Sequence, residues 1–267
     1  MFKGADYCER DGAGRCLSCC AAFYGVAKGA ITATGNRLMR GAEVANVDLF
    51  VAVSHAVAEA NQLDRAGARF EVVPNFVADA GIPPAADAPE LEALPTKPFI
   101  VQVGDVVADK GVHVLFEAYR RLDSPPPLVL IGRIAPEIRD ALPPGALAMG
   151  VWPHELVAHA WRRSLFGTMP SLCLDACPTV TMEAMAARRP VVASARGGLI
   201  DQVADGVTGL LVPPGDPAAL AEAMTRLIDS DMLRQQMGQA ARQRYEERFR
   251  SDVVIDRIEQ LYLSLLG

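Results

Sequence analysis

An α/β fold with a parallel sheet is what this sequence predicts, and three observations predict it. From Pro98 onward, short apolar runs alternate with stretches of helical periodicity, the pattern of strands joined by crossover helices. The chain has 267 residues, 51% of them hydrophobic, which is enough for one full α/β core and part of another. Asp216-Pro217 then reads as a capped helix start, with an acid at the cap and proline at the first helical position.

Taken in order, residues 1–40 show no sustained period and carry Gly12, Gly14, Gly25, Gly29 and Gly35, so loops and short helices are expected there. Residues 48–54 read as a buried strand, 56–61 as a helical turn and 70–73 as a second short strand. Four prolines among alanines and acids mark 79–97 as a linker. The regular part follows, with strands at 99–103, 128–132, 146–151, 165–169, 190–194 and 209–212. Helices are expected at 111–122, 136–142, 153–164, 179–188 and 199–204, then from Pro217 onward, and at 231–248 and 252–266. Val112, Leu115, Phe116 and Tyr119 share one face of the 111–122 helix, and Ser251 is the expected N-cap of the last one. Right-handed crossovers put the C-terminal ends of all six strands on one edge, where such sheets bind ligands. The organisation expected is therefore 1–78 as part of a first domain, 79–97 as linker, 98–250 as a complete six-stranded domain and 251–267 as a helix packing back across the hinge.

A formal net charge of −6 excludes a general nucleic-acid binder, because no broad basic face is available for phosphates. No run approaches the roughly 18 apolar residues of a membrane span, and the opening residues lack the apolar core of a secretory signal. A cytoplasmic location is expected, with loose association to a membrane surface left open. Cys8, Cys16, Cys19 and Cys20 crowd the opening segment, and Cys16 and Cys19 form a C-x-x-C pair. A zinc site and plain reduced thiols are both open; no second pair follows at the usual spacing, which favours the thiols, and no metal ligand is assigned.

The chemistry is expected at 170–186. A strand ends at Pro170-Ser171, a tight loop follows, and a helix begins near Thr179, so the amides of Thr179, Val180 and Thr181 face the ligand edge and favour an anion such as a diphosphate. Asp175 in the loop and Glu183 in the helix have seven residues between them. A loop acid can accept from a sugar hydroxyl and a helix acid from a ribose diol. Spacing alone is weak, since roughly four such acid pairs arise by chance in a chain this acidic. Ordinary surface roles stand beside each functional one: Lys110 as a helix-start lysine, His154 as a cap-region residue, His113 as a surface residue, Gly197-Gly198 as a turn. His55, at a strand end, is weighed as a cleft residue; Met182, Met185 and Leu199 are read as core.

These residues carry a resemblance. The run from Asp175 to Glu183 resembles the E-x7-E signature of glycosyltransferase family 4. Arg189 to Ser194, Gly197-Gly198 and Asp205 to Asp216 resemble that family's next blocks in order. Val103-Gly104-Asp105 with Lys110-Gly111 is similar to its G-R…K-G loop, and Leu130 to Arg133 to its second strand. Phe70 to Val77 is similar to the segment entering the interdomain hinge, so the likeness runs from about residue 48 to 266.

The resemblance implies a GT-B architecture of two Rossmann-like domains and retaining transfer from a nucleotide diphosphate sugar, without a required metal or other cofactor. By position, Lys110 would neutralise the donor diphosphate, Asp175 would orient the sugar and Glu183 would hold the ribose. Thr179 and Val180 would cradle the distal phosphate, with Gly104, Asp105, Pro178 and Gly198 around the donor and Arg133 near the nucleobase end. The acceptor would be an unspecified sugar, lipid or small molecule. Three departures accompany this. Asp175 is one methylene shorter than the usual Glu. Asp105 stands where the family often has Arg, which sets an acid beside a diphosphate. The chain lacks the family's opening glycine-rich turn, and residues 7–19 resemble a late loop of the first domain, so an N-terminally truncated chain is expected. A non-catalytic nucleotide-sugar-binding fragment is the second reading, and an epimerase on the same fold a third.

Overall fold

The computed structural model describes residues 13–78 and 88–266. The chain opens with α1 (Ala13–Tyr24) and α2 (Val26–Asn46), then β1 (Phe50–Ala52), α3 (His55–Ala60) and β2 (Phe70–Val72). After α4 (Pro89–Glu92) come β3 (Phe99–Val103), α5 (Val112–Arg120), β4 (Leu128–Ile131), α6 (Pro136–Arg139), β5 (Ala146–Gly150), α7 (His154–Arg163) and β6 (Ser164–Met169). The remainder is α8 (Thr179–Ala186), β7 (Val191–Ser194), α9 (Leu199–Gln202), β8 (Gly209–Val212), α10 (Pro217–Asp229), α11 (Asp231–Arg248) and α12 (Ser251–Leu266).

Six parallel strands form one sheet in the order β5-β4-β3-β6-β7-β8, and β1 and β2 form a separate parallel pair. Both faces of the large sheet are covered, which is why its strands read as apolar runs without strict alternation. Ile100, Leu128, Leu130 and Phe166 pack with Leu115 and Phe116 of α5 and with Leu220, Met224 and Leu227 of α10. The alternate residues Phe99, Val101, Val129 and Ile131 face the other way, onto Val157, Ala160 and Trp161 of α7. Trp161 lies so close to β6 that a Cβ at Gly167 would meet its ring at 2.5 Å, so only glycine fits beneath it. A third cluster joins Met182 and Met185 of α8 to Ala241 and Tyr245 of α11, with Val53 and Val77 packed against it.

Several contacts tie the β1–β2 pair to this body, two of them to α11 and α12. Val77 forms a parallel bridge with Arg250, its amide donating to Phe249 O at 3.1 Å, while Tyr245 Oη donates to Val77 O at 2.8 Å. Arg257 of α12 reaches Glu71 of β2 at 3.0 Å.

The structure departs from the sequence expectation in four places. The buried strand expected at 48–54 is the three-residue β1, whose Val51 is exposed because the small parallel pair is covered only in part. The opening segment is not loops and short helices: α2 alone runs 21 residues. Its period is hidden because Val26, Ile31, Leu38 and Met39 are exposed and Gly29 is its one buried residue, so no apolar stripe is written into it. Gly29 is where α1 crosses, and a Cβ there would lie 2.4 Å from Ala21 N. Ser251 is the first helical residue of α12 rather than its cap. Within the span read as linker, 79–87 lie outside the described residues, but Leu94 is buried and Arg163 donates to Leu91 O and Pro95 O, so 88–97 are laid onto the sheet domain. Among the described residues no helix is long and apolar enough to cross a membrane. Cys8 and the side chains of Cys16 and Cys19 lie outside the described set; among described residues no group of three His, Cys, Asp or Glu could hold a metal.

Candidate functional site

The strand order reverses between β3 and β6, and in an open parallel sheet the crevice at that point is where ligands bind. Two loops leave the sheet there. The first runs from Gly104 through a 3-10 turn, Ala108–Lys110, to Gly111. Gly111 has φ 71°, and a Cβ on it would sit 1.9 Å from Pro170 O, so this loop presses directly on the end of β6. The second loop, 170–178, is laced to the first: the amides of Leu172 and Cys173 both donate to Asp109 O at 3.0 Å.

That lacing brings Lys110 and Asp175 together as an ion pair. Burial works against the ammonium, but the Asp175 carboxylate outweighs it and holds Lys110 above the ordinary lysine value, so the lysine is charged throughout the neutral range. The other Asp175 oxygen accepts from Ser171 Oγ at 2.6 Å, and Gly198 N donates to Asp175 O at 2.7 Å. Ser171, buried and four residues before the acid, was not singled out by the sequence; a hydroxyl one loop-turn upstream of a carboxylate was the available signal. Cys173 lies beside the pair, its thiol pushed up by burial and by Asp175.

α8 begins directly after this loop, with Pro178 as its N-cap residue and no side-chain cap. α5, α7 and α9 likewise start without a side-chain cap, whereas Asp216 and Ser230 cap α10 and α11. Omitting a cap costs about 1 kcal/mol, which an anion at the helix start would offset. Thr179 is exposed and Val180 half-buried at this end, whereas Thr181 turns inward and donates to Met169 Sδ. Gly197 and Gly198 approach the loop backbone: Cβ atoms there would meet Asp175 O at 2.6 Å and Ala176 O at 2.1 Å.

Asp105 and Arg133 form a separate pair beside the site, Nε to Oδ1 at 3.0 Å and Nη2 to Oδ2 at 2.6 Å. The Arg133 bond, with Lys110 adding a smaller pull, holds the Asp105 carboxyl below the usual range. The acid at the family's arginine position is thus met by a guanidinium from the next strand. Gly132 permits this approach, because a Cβ there would lie 2.0 Å from Gly104 O; Gly104 itself, at φ 111°, has open space where a Cβ would be.

Glu183, one turn into α8, is mostly buried, with His154 Nδ1 at 3.8 Å. Burial pushes its carboxyl up, and His154 and the Trp161 indole act in the opposite sense. Its neighbours are thus distinct from the Lys110–Asp175 pair. His154 itself is exposed at the start of α7, and His113 is exposed on α5. His55 bonds Asp201 through its backbone amide at 2.7 Å and Nδ1 at 3.2 Å, linking the β1 end to α9. Met182, Met185 and Leu199 are fully buried, as read.

The family model for glycosyl transferases group 1 matches residues 86–244. The capsular polysaccharide biosynthesis glycosyltransferase CapM of Staphylococcus aureus is 30% identical over 174 residues, 61% of this chain and 45% of that protein. Alpha-maltose-1-phosphate synthase of Mycobacterium tuberculosis is 31% identical over 194 residues, 65% of this chain and 49% of that one. The chain spans about half the length of these relatives. Among solved structures, sucrose-phosphate synthase of Thermosynechococcus elongatus superposes with a TM-score of 0.74 at 27% identity, covering 87% of this chain and 62% of that one. Anabaena HepE in complex with UDP gives 0.74 at 20% identity, over 86% and 68%, a likeness of fold. The six-stranded parallel domain is that of the GT-B glycosyltransferases. With its match running from α4 to α11, this chain belongs to the glycosyl transferases group 1 family.

Proposed function

We propose that this chain is the donor-binding part of a retaining glycosyltransferase that moves a sugar from a nucleotide diphosphate sugar, without a metal, to a sugar, lipid or small-molecule acceptor. The observation that carries the reading is the pairing of a charged lysine with an uncapped helix start at the strand-order reversal. Lys110 and the amides of Thr179 and Val180 together supply positive potential from two sides, as a leaving diphosphate requires. As the bond between sugar and phosphate breaks, charge grows on the phosphate oxygen, and Lys110 is the group that stabilises it.

Asp175 exchanges its contact with Lys110 for a sugar hydroxyl, with Ser171 holding the carboxylate in place. Glu183 accepts from the ribose diol. Gly104, with open space where a Cβ would be, leaves its backbone open to the donor, Gly198 lets the Asp175 loop pack closely, Pro178 sets the start of α8, and Arg133, neutralised by Asp105, lies toward the base. HepE, crystallised with UDP, supports a uridine nucleotide as the first probe. A binding module without transfer is the second reading, favoured by Asp175, whose carboxylate is one methylene shorter than the family's usual glutamate.

Titration calorimetry with UDP and GDP tests the first reading. Saturable binding of either, weakened in Lys110→Ala, is the expected result; binding unaffected by Lys110→Ala would remove the lysine from the site. Activity restored by Asp175→Glu in a chain otherwise silent would favour the second reading.

A further inference from the structure

The loop that carries Asp175 is held by its carbonyl oxygens. Asp175 O accepts from Gly198 N at 2.7 Å, Cys177 O from Asn75 Nδ2 at 2.9 Å, and Pro178 O from Gln202 Nε2 at 3.0 Å. Three carbonyls within four residues are thus fixed just before the first amides of α8. Two of the donors come from α9 and its approach, but Asn75 comes from the other side. It lies on the exit segment of the β1–β2 pair, two residues before Val77, which α11 pins through Phe249 O and Tyr245 Oη. The segment is therefore anchored, and its side chain works from a fixed base.

A second line runs from the same small sheet. His55 grips Asp201 on α9, Arg244 donates to the carbonyls of Asp201 and Gln202 at 2.7 Å, and Gln202 then reaches Pro178 O. The direct line through Asn75 is shorter, and it ends on the residue next to the N-cap.

We propose that Asn75 is a positioning residue for the donor loop: its side-chain amide, carried by the segment leaving the small sheet, aims the start of α8 at the diphosphate. The inference rests on the donor reading given above. It makes nucleotide affinity depend on a residue that lies outside the six-stranded domain and touches no donor atom. Losing one hydrogen bond to a part-buried carbonyl weakens an equilibrium by roughly threefold to tenfold, and that is the size of effect expected on UDP binding.

The test uses the full chain. Asn75→Leu keeps the side-chain size and removes the donor, while Asn75→Gln keeps an amide N–H one methylene further out. In the ligand-free protein, hydrogen exchange of amides 176–183 should accelerate in Asn75→Leu, with strands 99–103 and 164–169 unchanged. UDP affinity should fall several-fold while Tm falls by no more than the few degrees that one hydrogen bond is worth, and Asn75→Gln should recover most of the affinity. Unchanged exchange in 176–183, or a fall in affinity that follows Tm and is not recovered by Asn75→Gln, would overturn the proposal. If the parent chain binds UDP through Lys110 and Asn75→Leu binds it equally well, only this inference fails. If the parent chain binds no nucleoside diphosphate, the donor reading fails and takes the inference with it.

Discussion

Lys110 and Asp175 come from loops on neighbouring strands, 65 residues apart in sequence, and form an ion pair where the strand order reverses. Without a donor, each charge answers the other. A diphosphate would compete for the lysine and a sugar hydroxyl for the acid, so both groups stand ready at the site without lying buried and unpaired. Lys110→Ala should therefore lower UDP affinity by about tenfold to a hundredfold, since a charge-assisted contact is lost. Asp175→Asn should leave UDP affinity intact or improved, because it frees the lysine, yet weaken discrimination among UDP-sugars. Calorimetry on the two variants separates the roles.

The Asp105–Arg133 pair makes a prediction of a different sign. Asp105 stands close enough to Lys110 to feel its charge, and Arg133 cancels it from the other side. Removing Asp105 as Ala should tighten nucleotide binding by roughly threefold, and Arg133→Ala should weaken it more than the double variant does. All three variants should keep the parent Tm, because exposed ion pairs add little to stability. The effects should shrink in high salt.

Gly198 tests the loop packing without a change in backbone preference. Its φ is −66°, so alanine is conformationally acceptable, but its Cβ would lie 2.1 Å from Ala176 O. The Asp175 loop would have to move. Gly198→Ala should cost about 1–3 kcal/mol of stability, read by urea unfolding, and should reduce UDP affinity with it. Gly206→Ala is the control for a glycine at positive φ with open space around it, and should affect stability while leaving binding alone.

Glu183 predicts a pH dependence. Burial raises its carboxyl above the ordinary glutamate value, so the folded chain holds this proton more tightly than the unfolded one. The stabilisation from that proton is complete below the ordinary glutamate range and is lost as pH rises through the higher folded value. Glu183→Gln, which keeps a neutral side chain, should match the parent Tm at acid pH and exceed it increasingly toward neutral pH. A Tm difference that is constant with pH would rule out burial as the cause.

Much of the larger domain was legible because its strands are short apolar runs between turn signals, and Asp216-Pro217 marks a helix start without ambiguity. The six strands and the start of α8 appear where the pattern puts them. The opening helices were not legible, since α2 leans on little besides α1 and shows no apolar stripe. Within the candidate site, Lys110, Asp175 and the helix start were singled out by spacing and resemblance, and the structure places them side by side. The bond partners could not, because Ser171, Asn75 and Gln202 act on the loop through single contacts whose direction no periodicity records. The Arg133 partner for Asp105 was equally hidden, since the two lie 28 residues apart on neighbouring strand ends.

The most direct measurement is a crystal structure of this chain soaked with UDP. The account predicts the diphosphate between the Lys110 ammonium and the amides of Thr179 and Val180, with the ribose at Glu183. A nucleotide bound elsewhere, or one that leaves Lys110 on Asp175 and the start of α8 facing solvent, would contradict it.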